Sequence, residues 1–222
     1  MHDQQLVPTT ILATGGRTRP RWLFMAVAML TAISAASLFL VLRPLSAQAS
    51  PNACRELTVN GGFEATTLDP WRESSAAGFP LLTHWFAHSG DQSAWLGGYE
   101  NASDYLTQTL TLPAGITTAT LQLWVQIDTL EATNAAALDF LTIEVRDQAG
   151  APLSTVASLS NQDYDTSWRQ RTYDLPAYAR QTVQLVFHAT GDAGNSTDFH
   201  VDDVSLAVCA ADQKVFMPWL RR

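Results

Sequence analysis

Only two cysteines, Cys54 and Cys209, occur in the 222 residues. They form no C-x-x-C pair, which excludes a zinc knuckle or a dithiol redox centre. The chain also lacks the H-E-x-x-H pair of metalloproteases and the G-x-S-x-G elbow of serine hydrolases. Basic residues are scarce, 13 Lys and Arg against 21 Asp and Glu, for a net charge of −8. A surface of that sign repels phosphate backbones and argues against nucleic acid as a partner. No internal repeat and, beyond the first fifty residues, no long helical periodicity is present. The reading is therefore not an enzyme.

The one long apolar run, residues 22–42, follows Arg17, Arg19 and Arg21. Ala47-Gln48-Ala49 comes soon after it, a small-x-small exit of the kind a signal peptidase accepts. Cleavage after Ala49 is the favoured expectation. The alternative is an uncleaved anchor, since about 20 apolar residues span a bilayer. Either version places the rest outside the cytoplasmic membrane, with membrane contact only through residues 22–42. The expected organisation is a leader over 1–49, one domain over 50–209 and a tail over 210–222.

From Leu57 onward, short alternating runs are separated by Gly, Pro, Asn and Asp, which predicts an all-β domain. In 120–128, Leu121, Leu123, Val125 and Ile127 fall on one face, with Gln122, Trp124 and Gln126 on the other. Residues 141–145 and 182–189 alternate in the same way. Further strands are expected at 55–59, 93–96, 106–112, 153–158, 169–175 and 199–208, with 65–75 as a crossing loop pinned by Trp71. Some nine strands punctuated by turns fit a two-sheet antiparallel sandwich. In an exported protein Cys54 and Cys209 either form one bridge, which would bring the first and last strands together, or remain two buried thiols.

The runs ATLQLWVQIDTLE, DFLTIEVRDQAG, QTVQLVFHATGD and TDFHVDDVSL, with Asn60-Gly61-Gly62-Phe63-Glu64 ahead of them, resemble the jelly-roll accessory modules of secreted bacterial peptidases. More distantly they resemble MAM-type and carbohydrate-binding-module (CBM 4/9-like) domains. The resemblance covers 57–208. It implies a galactose-binding-like jelly roll, an extracellular or cell-surface setting and a noncatalytic binding or adhesion role. It also implies a structural calcium between the first and last strands, held by Glu64 and Asp202, with Asp91 of the Ser89-Gly90-Asp91 turn as a third ligand.

For a ligand, Trp124 sits on the polar side of its strand and offers a flat platform for a sugar ring. Outward positions on other strands, with Gln126, add Glu144, Arg146 and His188. Alternatively a loop around Trp71 or Trp85 covers Trp124, and this is the favoured version. His84 and His88 have a helical ligand spacing that means little in a strand and turn. The partner is expected to be an extracellular polysaccharide or, through a structural or protein-contact role, a cell-envelope protein. The apolar 215–220 stretch is too short to cross a bilayer.

Overall fold

The computed structural model describes residues 54–132 and 134–210. The expected leader over 1–49 with its apolar run, and the expected tail beyond Ala210, lie outside the described residues. Eleven strands follow in order: β1 (Cys54–Glu56), β2 (Trp71–Ser75), β3 (Leu82–Thr83), β4 (Ser93–Gly97), β5 (Ser103–Thr111), β6 (Ile116–Thr129), β7 (Phe140–Asp147), β8 (Pro152–Ser160), β9 (Asp165–Leu175), β10 (Thr182–Thr190) and β11 (Thr197–Ala210). A single 3-10 turn, Asn161–Asp163, links β8 to β9 and is capped by Ser160.

The strands form two antiparallel sheets. One has the order β3-β4-β11-β6-β9, with β1 also paired to β11; the other has the order β2-β5-β10-β7-β8. Alternation decides what lies between them. Leu121, Leu123, Val125 and Ile127 of β6 are buried, as are Leu141, Ile143 and Val145 of β7 and Val183, Leu185 and Phe187 of β10. They meet Phe63, Trp71 and Phe199 in one core, and burying each such side chain contributes roughly 1.5 to 3 kcal/mol. The two-sheet sandwich expected from the alternating runs, and the jelly roll that the resemblance implies, are the observed architecture.

Two elements differ from expectation. Residues 71–75 form a strand rather than part of a crossing loop, pairing with β5 from Trp71↔Gln108 to Ser75↔Asp104. Arg72-Glu73-Ser74-Ser75 is polar because β2 is an edge strand with little to bury. Trp71 does pin the segment: it is fully buried, and its Nε1 donates to the Asn60 carbonyl at 2.9 Å. The second is β3, too short at two residues to leave a periodic signal.

Cys54 and Cys209 are direct register partners on β1 and β11 and are bridged. Six residues before Cys209, the ladder between β11 and β6 is broken by a bulge between Asp202 and Ser205. Asp203 there takes a positive φ of 48°. The Val204 amide donates to the Gly61 carbonyl at 2.9 Å, which locks the 60–64 segment onto the bulge. A Cβ on Gly61 would run into the Val204 carbonyl, so only glycine permits this approach.

Candidate functional site

The outward face of the six-stranded sheet is not bare. Along β11 the outward residues are Asp198, His200 and Asp202. Their partners on β6 are Asp128, Gln126 and Trp124, while Trp95 of β4 lies opposite His200. The connection from β3 to β4 folds back over this surface and lays Phe86 and His88 on it. Phe86 packs on His200 with ring centroids 5.0 Å apart, His88 stacks on Trp124, and Trp168 meets both imidazoles edge-on. Trp85, at the tip, is 85% exposed.

This loop has no regular structure, so hydrogen bonds must hold it. Asp202, with no exposed surface, accepts from the amides of His88 (2.8 Å) and Ser89 (3.1 Å) through Oδ2, and from the Asp203 amide through Oδ1 (2.7 Å). Asp203 accepts from Ser89 Oγ at 2.8 Å and lies 2.6 Å from His88 Nδ1. Glu64 Oε1 accepts from the amides of Asp91 (2.8 Å) and Gln92 (2.7 Å). Ser93 Oγ donates to the Phe86 carbonyl. The carboxylates of the first-strand and last-strand motifs thus clamp the two halves of one aromatic-bearing loop.

The expected cation set is not gathered in that form. Glu64 and Asp202 grip different amides of the loop, and Asp91 brings a backbone N–H. The side-chain donors within 4.8 Å of one another belong to His88, Asp202 and Asp203. His88, set aside on its spacing from His84, is part of this corner. Burial pushes the Asp202 carboxyl above the ordinary carboxylate range, against the amides that donate to it.

Beside the clamp opens a pocket of about 230 Å³ lined by Trp85, Phe86, Trp95, Asp128, Asp198 and His200, with Gln126 and Thr83 at its margin. A second hollow of about 320 Å³, bounded by Phe79, Pro80 and His84, shares Thr83, Trp85 and Trp95 with the first. Trp95 is fixed by its Nε1, which donates to Asp198 Oδ1 at 2.7 Å. Gly98, at φ +77°, permits that arrangement, since a Cβ there would collide with both Asp198 and the Trp95 ring. Burial raises the Asp198 carboxyl; the Trp95 hydrogen bond works against this, and the Asp128 charge adds to it. His200 is only 5% exposed, and its Nδ1 has no hydrogen-bond partner. Burial pulls its imidazole down to about 4, against the pull of Asp128. Aromatic walls with a few convergent polar groups are what a small-molecule site requires.

The five residues expected to share a ligand face are divided between two surfaces. Trp124 and Gln126 lie on the outer face of the six-stranded sheet, Trp124 half-buried under His88. Glu144 and Arg146 on β7 and His188 on β10 lie on the outer face of the other sheet, across the core. There His188 stacks on Tyr105 with centroids 3.9 Å apart, Arg146 lies over the same ring, and Arg146 pairs with Glu144 at 2.6 Å. Burial and the Arg146 charge lower the His188 imidazole, opposed by Glu144 and Asp104. Trp85, Phe86, Trp95, Asp128, Asp198 and His200 went unselected. Trp95 and His200 carried the signal that marked Trp124, a large side chain on the outward step of a buried strand, whereas Trp85 and Phe86 carried none.

No family model and no curated protein matches the chain. Among solved structures it is similar to the carbohydrate-binding module TmCBM61 in complex with beta-1,4-galactotriose, at 20% identity and a TM-score of 0.51, covering 68% of this chain and 97% of that one. The K3 adhesin domain of Lys-gingipain from Porphyromonas gingivalis w83 aligns at 18% identity and a TM-score of 0.49, covering 70% and 99%. A family 16 carbohydrate-binding module aligns at 22% and 0.43, covering 68% and 98%. The likeness to TmCBM61 is one of fold: the described residues share its jelly-roll sandwich.

Proposed function

We propose that this protein is an exported, noncatalytic carbohydrate-binding module that holds an extracellular or cell-surface polysaccharide against Trp85 and Trp95. The observation that carries the reading is the pocket on the six-stranded sheet. Sugar rings present apolar C–H faces that pack on indoles, and their hydroxyls need hydrogen-bond groups at the edge. Trp85, Trp95 and Phe86 supply the faces; Gln126, Asp128, Asp198 and His200 supply the edge. Trp85 stands between two hollows, an arrangement suited to consecutive units of one chain. The disulfide supports export, because such bridges persist in oxidising compartments. The fold shared with TmCBM61 is compatible with sugar binding without requiring it.

A structural cation belongs to the same proposal. His88, Asp202 and Asp203 fit a divalent ion with mixed nitrogen and oxygen ligands, whereas an all-oxygen calcium set would need Glu64 beside Asp202 and Asp203 in place of the His88 nitrogen. An ion there would brace the loop that carries Trp85. Melting in excess EDTA below the melting temperature in calcium supports it, and superimposable curves remove the ion.

The decisive experiment is retardation of the purified protein in gels containing soluble polysaccharides, with Trp85→Ala as the comparison. Because Trp85 is so exposed, its removal should leave the fold and abolish retardation. Retardation that survives the substitution, or none with any polysaccharide, rejects the site. In the latter case the apolar cluster of Phe79, Trp85 and Phe86 is left to a protein contact.

A further inference from the structure

We propose that the pocket beside Trp85 selects a hexosamine unit carrying a free, protonated amine, in preference to a neutral hexose and to the exclusion of a uronic acid. This rests on the reading of the pocket as a sugar site and names the class of sugar. The first observation is charge. Asp128 and Asp198 are direct cross-strand partners on β6 and β11 and both line the pocket. Like charges so placed are unfavourable unless something intervenes.

Nothing among the described residues does so. The ion pairs among the described residues are Arg72–Asp69, His88–Asp203, Arg146–Glu144 and Arg169–Asp165, and none reaches Asp128 or Asp198. The lining contains no Lys or Arg. His200, the basic side chain in that lining, is buried and pairs with neither carboxylate among the described residues.

The second observation concerns vacant hydrogen-bond capacity. Asp198 Oδ1 accepts from Trp95 Nε1 at 2.7 Å, and Asp128 Oδ1 accepts from the Thr129 amide at 2.9 Å. Among the described residues, the Oδ2 atoms of both have no side-chain or amide donor. His200 adds a buried ring nitrogen without a partner. An ammonium group carries three donors and a positive charge, so it can serve both carboxylates at once. The faces of Trp85, Trp95 and Phe86 favour the same charge through their ring quadrupoles. An N-acetylated sugar loses the charge, a neutral hexose leaves the carboxylates opposed, and a uronate adds a third negative group.

Calorimetry on the full-length chain with four probes tests this: oligomers of glucosamine, of N-acetylglucosamine, of glucose and of galacturonic acid. Binding of the glucosamine oligomer should be at least about tenfold tighter than of the glucose oligomer and should weaken as salt is added, with no binding of the galacturonate. Asp128→Asn, at an exposed position, should erase most of that preference, lowering glucosamine-oligomer affinity far more than glucose-oligomer affinity. Equal affinity for glucosamine and glucose oligomers, or a preference that survives Asp128→Asn, overturns the inference and leaves the sugar site standing. Failure of all four probes to bind overturns the inference, and retardation in the polysaccharide gels then decides whether the sugar site stands.

Discussion

The imidazole of His88 lies on the indole of Trp124 with ring centroids 3.8 Å apart and planes 15° from parallel. The tryptophan that stands out in the sequence is thereby roofed, and the side chain that roofs it belongs to the loop presenting Trp85 and Phe86. Trp124 is a bearing surface for the loop, and the pocket proposed to take a ligand lies one strand pair further along.

Replacing His88 by Ala removes that stack and the bond to Asp203 together. A loss of roughly 1 to 2 kcal/mol in stability is expected, with a red shift in tryptophan emission as Trp124 meets water. Sugar affinity should fall several-fold, because Trp85 loses its support. Unchanged emission would mean that the stack does not persist in solution.

Asp202 accepts three backbone amides with no exposed surface. Asn at this position keeps the shape but turns an N–H₂ toward at least one of those donors. The expected cost is about 2 to 4 kcal/mol, measurable by urea unfolding, with faster amide exchange at His88 and Ser89. Wild-type exchange at those two amides would contradict the clamp.

Stability should fall with acidification in a window set by His200. Its folded value is about 4 against 6.5 for the unfolded chain, so between these limits the unfolded chain binds the extra proton. The contribution is fully present above about pH 6.5 and is lost as pH drops toward 4. By about pH 5 roughly 2 kcal/mol of it has been lost. His188, also lowered, acts in the same direction. Asp198 and Asp202 are raised and act oppositely, relaxing their penalty as they protonate. Comparing His200→Gln with the parent by urea unfolding across this range isolates the histidine: the difference between the two should change with pH, and parallel profiles would refute it.

Substituting both Cys54 and Cys209 by Ser frees a loop with a sequence separation of 155. Chain entropy sets the loss at about 4 to 5 kcal/mol, an upper figure if the open chain keeps residual structure. The sheets and the aromatic pocket should survive, because β1 covers only the far end of β11. Reduction of the parent protein should give the same shift in unfolding midpoint.

Much of the architecture was legible because alternation states, strand by strand, which side chains point inward. It does not state to which sheet a strand belongs. Trp124, Glu144 and His188 all read as outward, and all are, but β6 lies in one sheet and β7 and β10 in the other. The edge strand Trp71–Ser75 was illegible because four of its five residues have nothing to bury. Trp85 and Phe86 sit in a loop whose shape is dictated by carboxylates more than a hundred residues away at Asp202 and Asp203, information that no local window contains. Glu64 and Asp202 stand out in the sequence as acidic residues of two separate motifs, but the loop amides they hold leave no local signal.

The bridge between Cys54 and Cys209 joins the first strand to the last. Tension transmitted along the polypeptide would enter at one sulfur and leave at the other. That load is carried by a covalent short circuit, so the sheets between the two sulfurs stay unloaded and Trp85 and its neighbours keep their places.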